Sequence, residues 1–382
     1  MKTKRIIALL LCTAMAVCMM AACTPAAPPA PPPASPASPE APASPAPASP
    51  APASPAPASP APSTSAPPAP PAPSPEPVVP GRKTIYVIVK AMGNAYWGIL
   101  QAGAIDAGRE YEANVIITGI PDEARIEDQI TLLQNAVSAK ADAILIAVAS
   151  SVAQAAEVER AFDSGIPIIL VDTMADTTKY TSSFVTDNKG AGRSAAQELI
   201  RLLKERGTPE DVRGTIAVQI GSSGSQTIID RNIGFKEYWD ANAPANWVVD
   251  WDNMQVNDGD ISKAIGIAQN FLTSYTDLIA FYTPNNGSTV GGVTGLVEGN
   301  RTDITMVGFD FSKEMEDIIR SGNFNVSTML QNQYFMGYDG VKAALDIIAG
   351  GSVPKDNDTG LTVVNASNVD DPEVIKAAFG GR

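Results

Sequence analysis

Runs of β-branched and aromatic residues alternate with helix-patterned stretches over most of the chain, and that alternation leaves few architectures open. The first run, Thr84-Ile-Tyr-Val-Ile-Val-Lys90, contains no turn residue, which suits a strand buried on both faces of a parallel sheet. Further strand-like runs are Asn114–Thr118, Ala143–Val148, Pro167–Val171, Gly214–Ile220, Asp277–Tyr282 and Ile304–Phe309. Helical spacing fills the gaps, at Trp97–Tyr111, Ala124–Ala139, Val152–Asp163, Ala191–Glu205, Ile261–Ser274, Ser312–Ser321 and Gly337–Ile348. Strand and helix alternating through short connections predict parallel sheets wrapped by helices.

Two of the strands echo each other. Ile166-Pro-Ile-Ile-Leu-Val-Asp172 and Ile304-Thr-Met-Val-Gly-Phe-Asp310 both end in aspartate. Each of two lobes is therefore expected to present a carboxylate at the strand ends, where open α/β sheets hold ligands. The polar loop after the first strand brings Lys90, Asn94, Tyr96 and Trp97 to the same kind of edge. Tyr96 and Trp97 there either face a ligand or pack the helix onto the sheet. Asp310 has an alternative role as a cap for the helix near Ser312, and Asp172 as a turn residue.

The amino end carries no fold. Lys2, Lys4 and Arg5 precede an apolar segment, Ile6 to Ala22, of 17 residues that ends in small side chains. This is the pattern of a secretory signal and is short for a membrane span. All three cysteines, Cys12, Cys18 and Cys23, fall in or beside this leader, so the mature chain is expected to form no internal disulfide. From Thr24 to Pro80 the composition narrows to Pro, Ala and Ser, with Ala-Ser-Pro-Ala-Pro units between about Ala43 and Pro62. With almost nothing apolar to bury, the segment is expected to stay unfolded and act as a spacer. Its 57 residues would span roughly 175 Å at the polyproline rise.

The body that follows, from about Arg82 to Arg382, is long enough for two core-bearing lobes. Removing the leader's three basic residues from the total of 27 leaves 24 against 41 acidic ones, a net charge of −17. Nucleic acid is not expected as a partner of so acidic a body, nor is an anionic membrane surface. The chain has no histidine, the commonest general base and metal ligand, so neither catalysis nor a metal or other cofactor is expected. Gly221-Ser-Ser-Gly-Ser225 lacks the Lys-Ser/Thr of a phosphate-binding loop and reads as the turn into the helix carrying Arg231. Asp172 and Asp310 would be the one candidate acid–base pair, of the kind used in glycoside hydrolysis.

One ordered set of residues resembles a known family. It comprises Asn94-Ala-Tyr-Trp97, Gly165 to Asp172, Thr186-Asp-Asn188 before a Gly/Ala-rich helix, and Arg231-Asn-Ile-Gly-Phe235. Asn285-Asn-Gly-Ser-Thr-Val-Gly291, Val307-Gly-Phe-Asp310 and Gln331 complete it. The order and spacing resemble the ribose-binding-protein-like family, the type I periplasmic sugar-binding proteins that feed ABC importers, over Arg82 to about Val364. The resemblance implies two doubly wound, Rossmann-like lobes joined by a three-crossing hinge. It divides the chain into a leader at 1–22, a lipidated cysteine and spacer at 23–81, a first lobe at 82–187 plus about 332–360, and a second at 188–331 plus about 361–382. It places Asn94, Tyr96 and Trp97 where the family hydrogen-bonds and sandwiches a sugar ring, and Asp172, Arg231, Asn285, Asp310 and Gln331 where it binds hydroxyls. Carboxylates, amides and a guanidinium suit hydroxyls, which donate and accept at once, while aromatic faces cover the ring. The chain departs from the pattern at Lys90, where the family has a small hydroxyl residue, at Ala95, where it has Pro, and at Thr173, where it often has Arg. A ligand carboxylate or phosphate therefore stays open.

The resemblance implies a monomeric, non-enzymatic binding protein for a sugar or polyol that delivers it to ABC permease subunits. A sensor presenting the ligand to a chemoreceptor or histidine kinase is the alternative. A LacI-type repressor shares the core but would carry an amino-terminal helix-turn-helix and no export signal. Met20-Ala-Ala-Cys23 resembles a bacterial lipobox, with Met in place of the usual Leu. This implies acylation of Cys23 and an extracytoplasmic, membrane-anchored protein; ordinary cleavage with a free Cys23 thiol is the alternative. Two or more acyl chains hold firmly where one does not. Cell fractionation should accordingly find Cys23→Ala released from the membrane, and retention equal to wild type would count against the anchor.

Overall fold

The structure, a computed structural model, describes residues 78–379. The leader at 1–22, Cys23 and all of the spacer before Val78 lie outside the described residues.

The first lobe is built on β1 (Thr84–Val89), β2 (Asn114–Gly119), β3 (Ala143–Ile146), β4 (Ile168–Val171), β5 (Ser182–Val185) and a late strand, β12 (Asp356–Asp358). They form one parallel sheet in the order β12-β5-β4-β3-β1-β2. Alternation along the strands assigns the two faces. Ile85, Val87, Val89, Leu145 and Val171 pack on α1 (Ala95–Glu110) and α9 (Gln333–Ile348). Ile88, Ile144, Ile146 and Leu170 pack on α2 (Ile126–Ser138) and α3 (Ala155–Asp163). Both faces are therefore apolar, which is why these strands read as continuous hydrophobic runs.

The second lobe repeats the plan. Its strands are β6 (Gly214–Ile220), β7 (Trp247–Val249), β8 (Gln255–Val256), β9 (Leu278–Thr283), β10 (Thr305–Phe309), β11 (Val326–Gln331) and β13 (Leu361–Val364). The sheet order is β13-β11-β10-β9-β6-β7, with β8 paired to the end of β6. Only β13 runs antiparallel to its neighbour. One face carries α4 (Asn188–Glu205) and α5 (Gln226–Asn242) through Phe235, Trp239 and Leu199. The other carries α6 (Ile261–Ser274), α7 (Asn286–Glu298), α8 (Lys313–Ser321) and α10 (Pro372–Phe379).

The chain passes between the lobes at 186–187, at Asn332 and at Thr359–Gly360. The sheet orders reverse direction at β1/β3 and at β6/β9, which makes the carboxyl ends of these strands the binding edge in each lobe.

Several elements differ from the sequence reading. α4 begins at Asn188 with Asp187 as its cap, because the Asp187 carboxylate accepts from Gly190 N at 2.9 Å. α9 begins at Gln333, before the Gly337 start expected, since its first turn is polar and aromatic rather than helix-patterned. Ser312, not Asp310, caps α8. The strands β5, β7, β8, β11, β12 and β13 are not among those expected: β7 and β13 are largely apolar but only three and four residues long, and the others are short or interrupted by polar side chains.

Helix backbones meet closely at one glycine pair in each lobe. A Cβ on Gly103 would lie 2.0 Å from Tyr334 O, and one on Gly337 2.0 Å from Leu100 O, so α1 and α9 touch through bare backbone. In the second lobe Gly192 faces Arg231 O at 2.0 Å and Gly234 faces Lys189 O at 1.9 Å. Gly337→Ala should cost about 1 to 3 kcal/mol in chemical denaturation, the range for overpacking a tight contact. Gly266→Ala on α6, where nothing lies within 4 Å, should instead stabilise by up to about 1 kcal/mol through helix propensity.

Candidate functional site

The strand ends of both lobes converge on one cavity of about 370 Å³, measured with the space at its mouth. All nine residues singled out from the sequence line it: Lys90, Asn94, Tyr96, Trp97, Asp172, Arg231, Asn285, Asp310 and Gln331. The sequence reading missed Glu123, Ser225, Thr227, Ile228, Asn286 and Gly287. Asn286 and Gly287 sit inside a motif already quoted, and Ser225 ends the turn read before α5. Glu123 is one of two adjacent acids in a polar loop, with nothing local to distinguish it from Asp122.

The two strand-end aspartates are built alike. Asp172 and Asp310 both have left-handed backbones, with φ of 61° and 71°. Aspartate tolerates that region better than most residues. Each still extends its sheet: Asp172 N donates to Phe184 O at 3.0 Å, and Asp310 N to Met329 O at 2.8 Å. Their side chains are then fixed by neighbours. Asp172 accepts from the Tyr96 hydroxyl at 2.5 Å and the Thr173 hydroxyl at 2.6 Å. Asp310 accepts from Gln331 Nε2 at 2.7 Å and from the backbone of Asn286.

Of the two cations, Arg231 is held firmly and Lys90 is not. Arg231 Nε donates to Asn188 Oδ1 at 2.9 Å and Nη1 to Pro284 O at 2.7 Å, while the guanidinium lies 4.1 Å from the Phe309 ring centre. Its Nη2 is left buried without a partner. Lys90 Nζ lies 3.8 Å from Glu123 and 3.9 Å from Asp172, ion-pair distances too long for hydrogen bonds. Asn94 caps α1 through its Oδ1, which accepts from Tyr96 N at 2.9 Å, and this leaves its amide donors uncommitted to the cap. Trp97 stands edge-on to Tyr96, ring centres 4.9 Å apart.

Burial governs the titration of this cluster. It pushes the Asp310 carboxyl up to about 6 despite the opposing pull of Arg231 and Gln331. It also raises Glu123 above the usual carboxylate range, with Lys90 opposing. The Tyr96 phenol is pushed well up by burial and by the Asp172 charge, so it stays a neutral donor.

The lobes are in contact around the cavity. Glu123 N donates to Asp258 O and Ser151 N to Gly224 O, each at 3.0 Å. Gln226 N donates to Ser151 Oγ at 2.9 Å, and the Thr227 hydroxyl donates to Asp172 O at 3.1 Å. Thr173, at the departure noted in the sequence, lies 3.1 Å from Thr227 across the same boundary. The arrangement is a closed cleft that offers fixed donors and acceptors to something small and polar.

The sequence matches the family of the periplasmic binding protein domain over residues 85–352. It is 25% identical over 280 residues to the D-ribose/D-allose-binding protein of Pseudomonas aeruginosa, covering 71% of this chain and 84% of that one. A carbohydrate transporter solute-binding protein from Agrobacterium radiobacter, solved with D-arabinose, is similar at 28% identity and a TM-score of 0.74, over 79% of this chain and 100% of that one. An ABC transporter solute-binding protein from Agrobacterium vitis with bound D-fucose is similar at 28% identity and a TM-score of 0.69, over 76% and 98% of the two chains. With two parallel α/β lobes closed on a polar cavity and a family match across nearly all of both, the chain belongs to the periplasmic binding protein domain family.

Proposed function

We propose that this protein is an extracytoplasmic solute-binding protein that captures one monosaccharide between its lobes and delivers it to an ABC importer, held at the membrane by a lipid on Cys23. The observation that carries the reading is the set of buried cavity atoms without partners: Glu123 Oε2, Ser225 Oγ, Arg231 Nη2 and Gln331 Oε1. Each such atom costs roughly 1 to 3 kcal/mol unless something bonds to it. They include both donors and acceptors, as vicinal hydroxyls require. The cavity is small and covered by contacts between both lobes, which favours one ring over an oligosaccharide.

Charge narrows the ligand further. The Lys90 ammonium is already flanked by Glu123 and Asp172. The cavity holds three carboxylic side chains against two cations, so no positive charge is in excess for a ligand carboxylate or phosphate. A neutral sugar is the reading that leaves the least charge uncompensated. The same aspartates suit binding rather than catalysis: each is oriented by two protein donors and keeps lone pairs free to accept from a ligand hydroxyl.

A thermal-shift screen of neutral sugars, polyols and sugar acids tests the proposal directly. A neutral monosaccharide should stabilise the protein, and stabilisation by sugar acids alone would overturn the choice. For the sugar found, Asp310→Ala and Arg231→Ala should each cost about 2 to 4 kcal/mol, a thirty-fold to thousand-fold loss of affinity by calorimetry. Loss of less than about three-fold, below the value of any charged hydrogen bond, would move the site elsewhere.

Affinity should also depend on pH. A ligand hydroxyl that donates to Asp310 needs the ionised carboxylate, which exists mainly above about 6. Affinity should therefore be flat above pH 7 and fall about tenfold by pH 5, one pH unit below that value. Asp310→Asn should bind weakly with this dependence removed.

A further inference from the structure

We propose that Glu123 makes closure of the lobes conditional on a ligand: in an empty cleft its carboxylate opposes closure, and a ligand hydroxyl that donates to it while accepting from Lys90 removes that opposition. The identity of the hydroxyl's owner rests on the sugar-binding reading above; the opposition to empty closure does not.

Glu123 stands in the loop after β2 and is 8% exposed, yet Oε2 has no hydrogen-bond partner. Its nearest cation, Lys90 Nζ, stays 3.8 Å away and makes a second long approach, 3.9 Å, to Asp172. Neither distance is a hydrogen bond. The ammonium and the carboxylate thus face the cavity as a donor and an acceptor that do not satisfy each other, and a hydroxyl is the small group that serves both.

The opposite lobe supplies part of the cover. Asp258 O accepts from Glu123 N, and the turn at Asp258 and Gly259 takes positive φ at both residues, 58° and 78°. A Cβ at Gly259 would come within 3.2 Å of Glu123 Cγ, so the bare backbone of that turn lies against the acid. The turn is tied to the cavity floor as well. Asn257 accepts from Gly259 N and donates to Ser288 Oγ at 2.7 Å, and Ser288 donates in turn to Asn285 Oδ1 at 2.5 Å. Closing the lobes is therefore part of what strips water from Glu123. The rise of its carboxyl above the usual range, caused first by burial and only partly opposed by Lys90, agrees with a closed cavity that disfavours the bare anion. An unbonded buried acceptor raises the free energy of the empty closed state, and a ligand shifts the balance by bonding only there.

Hydrogen exchange on the whole chain without any ligand tests this. The amides of Glu123, Ser151 and Gln226 bond across the cleft, so exchange in peptides containing them follows the closed fraction. Glu123→Leu, which removes the acceptor at similar size, should slow that exchange at least five-fold, and Glu123→Gln should slow it less. Peptides from β3 and β9 should be unchanged. Unaltered or faster exchange across the cleft, with β3 and β9 intact, would overturn the proposal; if the leucine variant loses protection in β3 or β9, the glutamine variant decides. Because this comparison uses no sugar, it stands or falls apart from the sugar screen.

Discussion

Charge taken out of water organises this molecule. Lys90, Glu123, Asp172, Arg231 and Asp310 are each more than nine-tenths buried, around one cavity. Stripping an ion of its hydration costs several kcal/mol unless fixed dipoles and counter-charges replace the water. For Asp172, Asp310 and Arg231 the scaffold provides them at short distances in space, mostly from residues 21 to 76 positions away in sequence. Tyr96 and Thr173 hold Asp172, Gln331 and the Asn286 backbone hold Asp310, and Asn188, Pro284 and the Phe309 ring hold Arg231. Those partners come from strand ends and helix starts, which is where two sheets wound in this order must put them.

The fold was legible because its core strands are buried on both faces. Ile85 to Val89 or Ile168 to Val171 leave no polar alternation to confuse, so their extent can be read from composition alone. The strands that escaped notice are those whose pairing comes from outside. Ser182–Val185 is half serine, and Asp356–Asp358 has no apolar residue, yet each pairs with a partner strand supplied by the rest of the lobe. The site was partly legible for a related reason: aspartates ending two apolar strands and a polar loop after a third mark the binding edge, whereas Arg231, Asn285 and Gln331 needed the family resemblance. Glu123 was not, because its meaning comes from the Asp258–Gly259 turn far away in sequence, and Thr227 likewise acquires its role only against Thr173.

The two lobes solve the same packing problem twice. Each has a strand-end aspartate in the left-handed region and a helix pair in contact through reciprocal glycines. In the second lobe the glycine pair grips the backbone of Arg231 itself, so the position of the guanidinium is set partly by Gly192, on a neighbouring helix and outside the cavity lining. Substitutions well away from the cavity can in this way move a group inside it.

The single stretch Asp356–Val364 has a different kind of consequence. It gives β12 to the edge of the first sheet and β13 to the edge of the second, with only Thr359 and Gly360 between them. Neither sheet is finished until this stretch, which follows every other strand in the chain, is in place. A polypeptide emerging amino end first from a ribosome or a translocation channel would thus carry two incomplete sheets until Asp356–Val364 arrived, and that one short segment would then complete both. Stalled or shortened chains would expose a raw edge in each half at once, whereas a finished chain reaches its closed architecture in one late event.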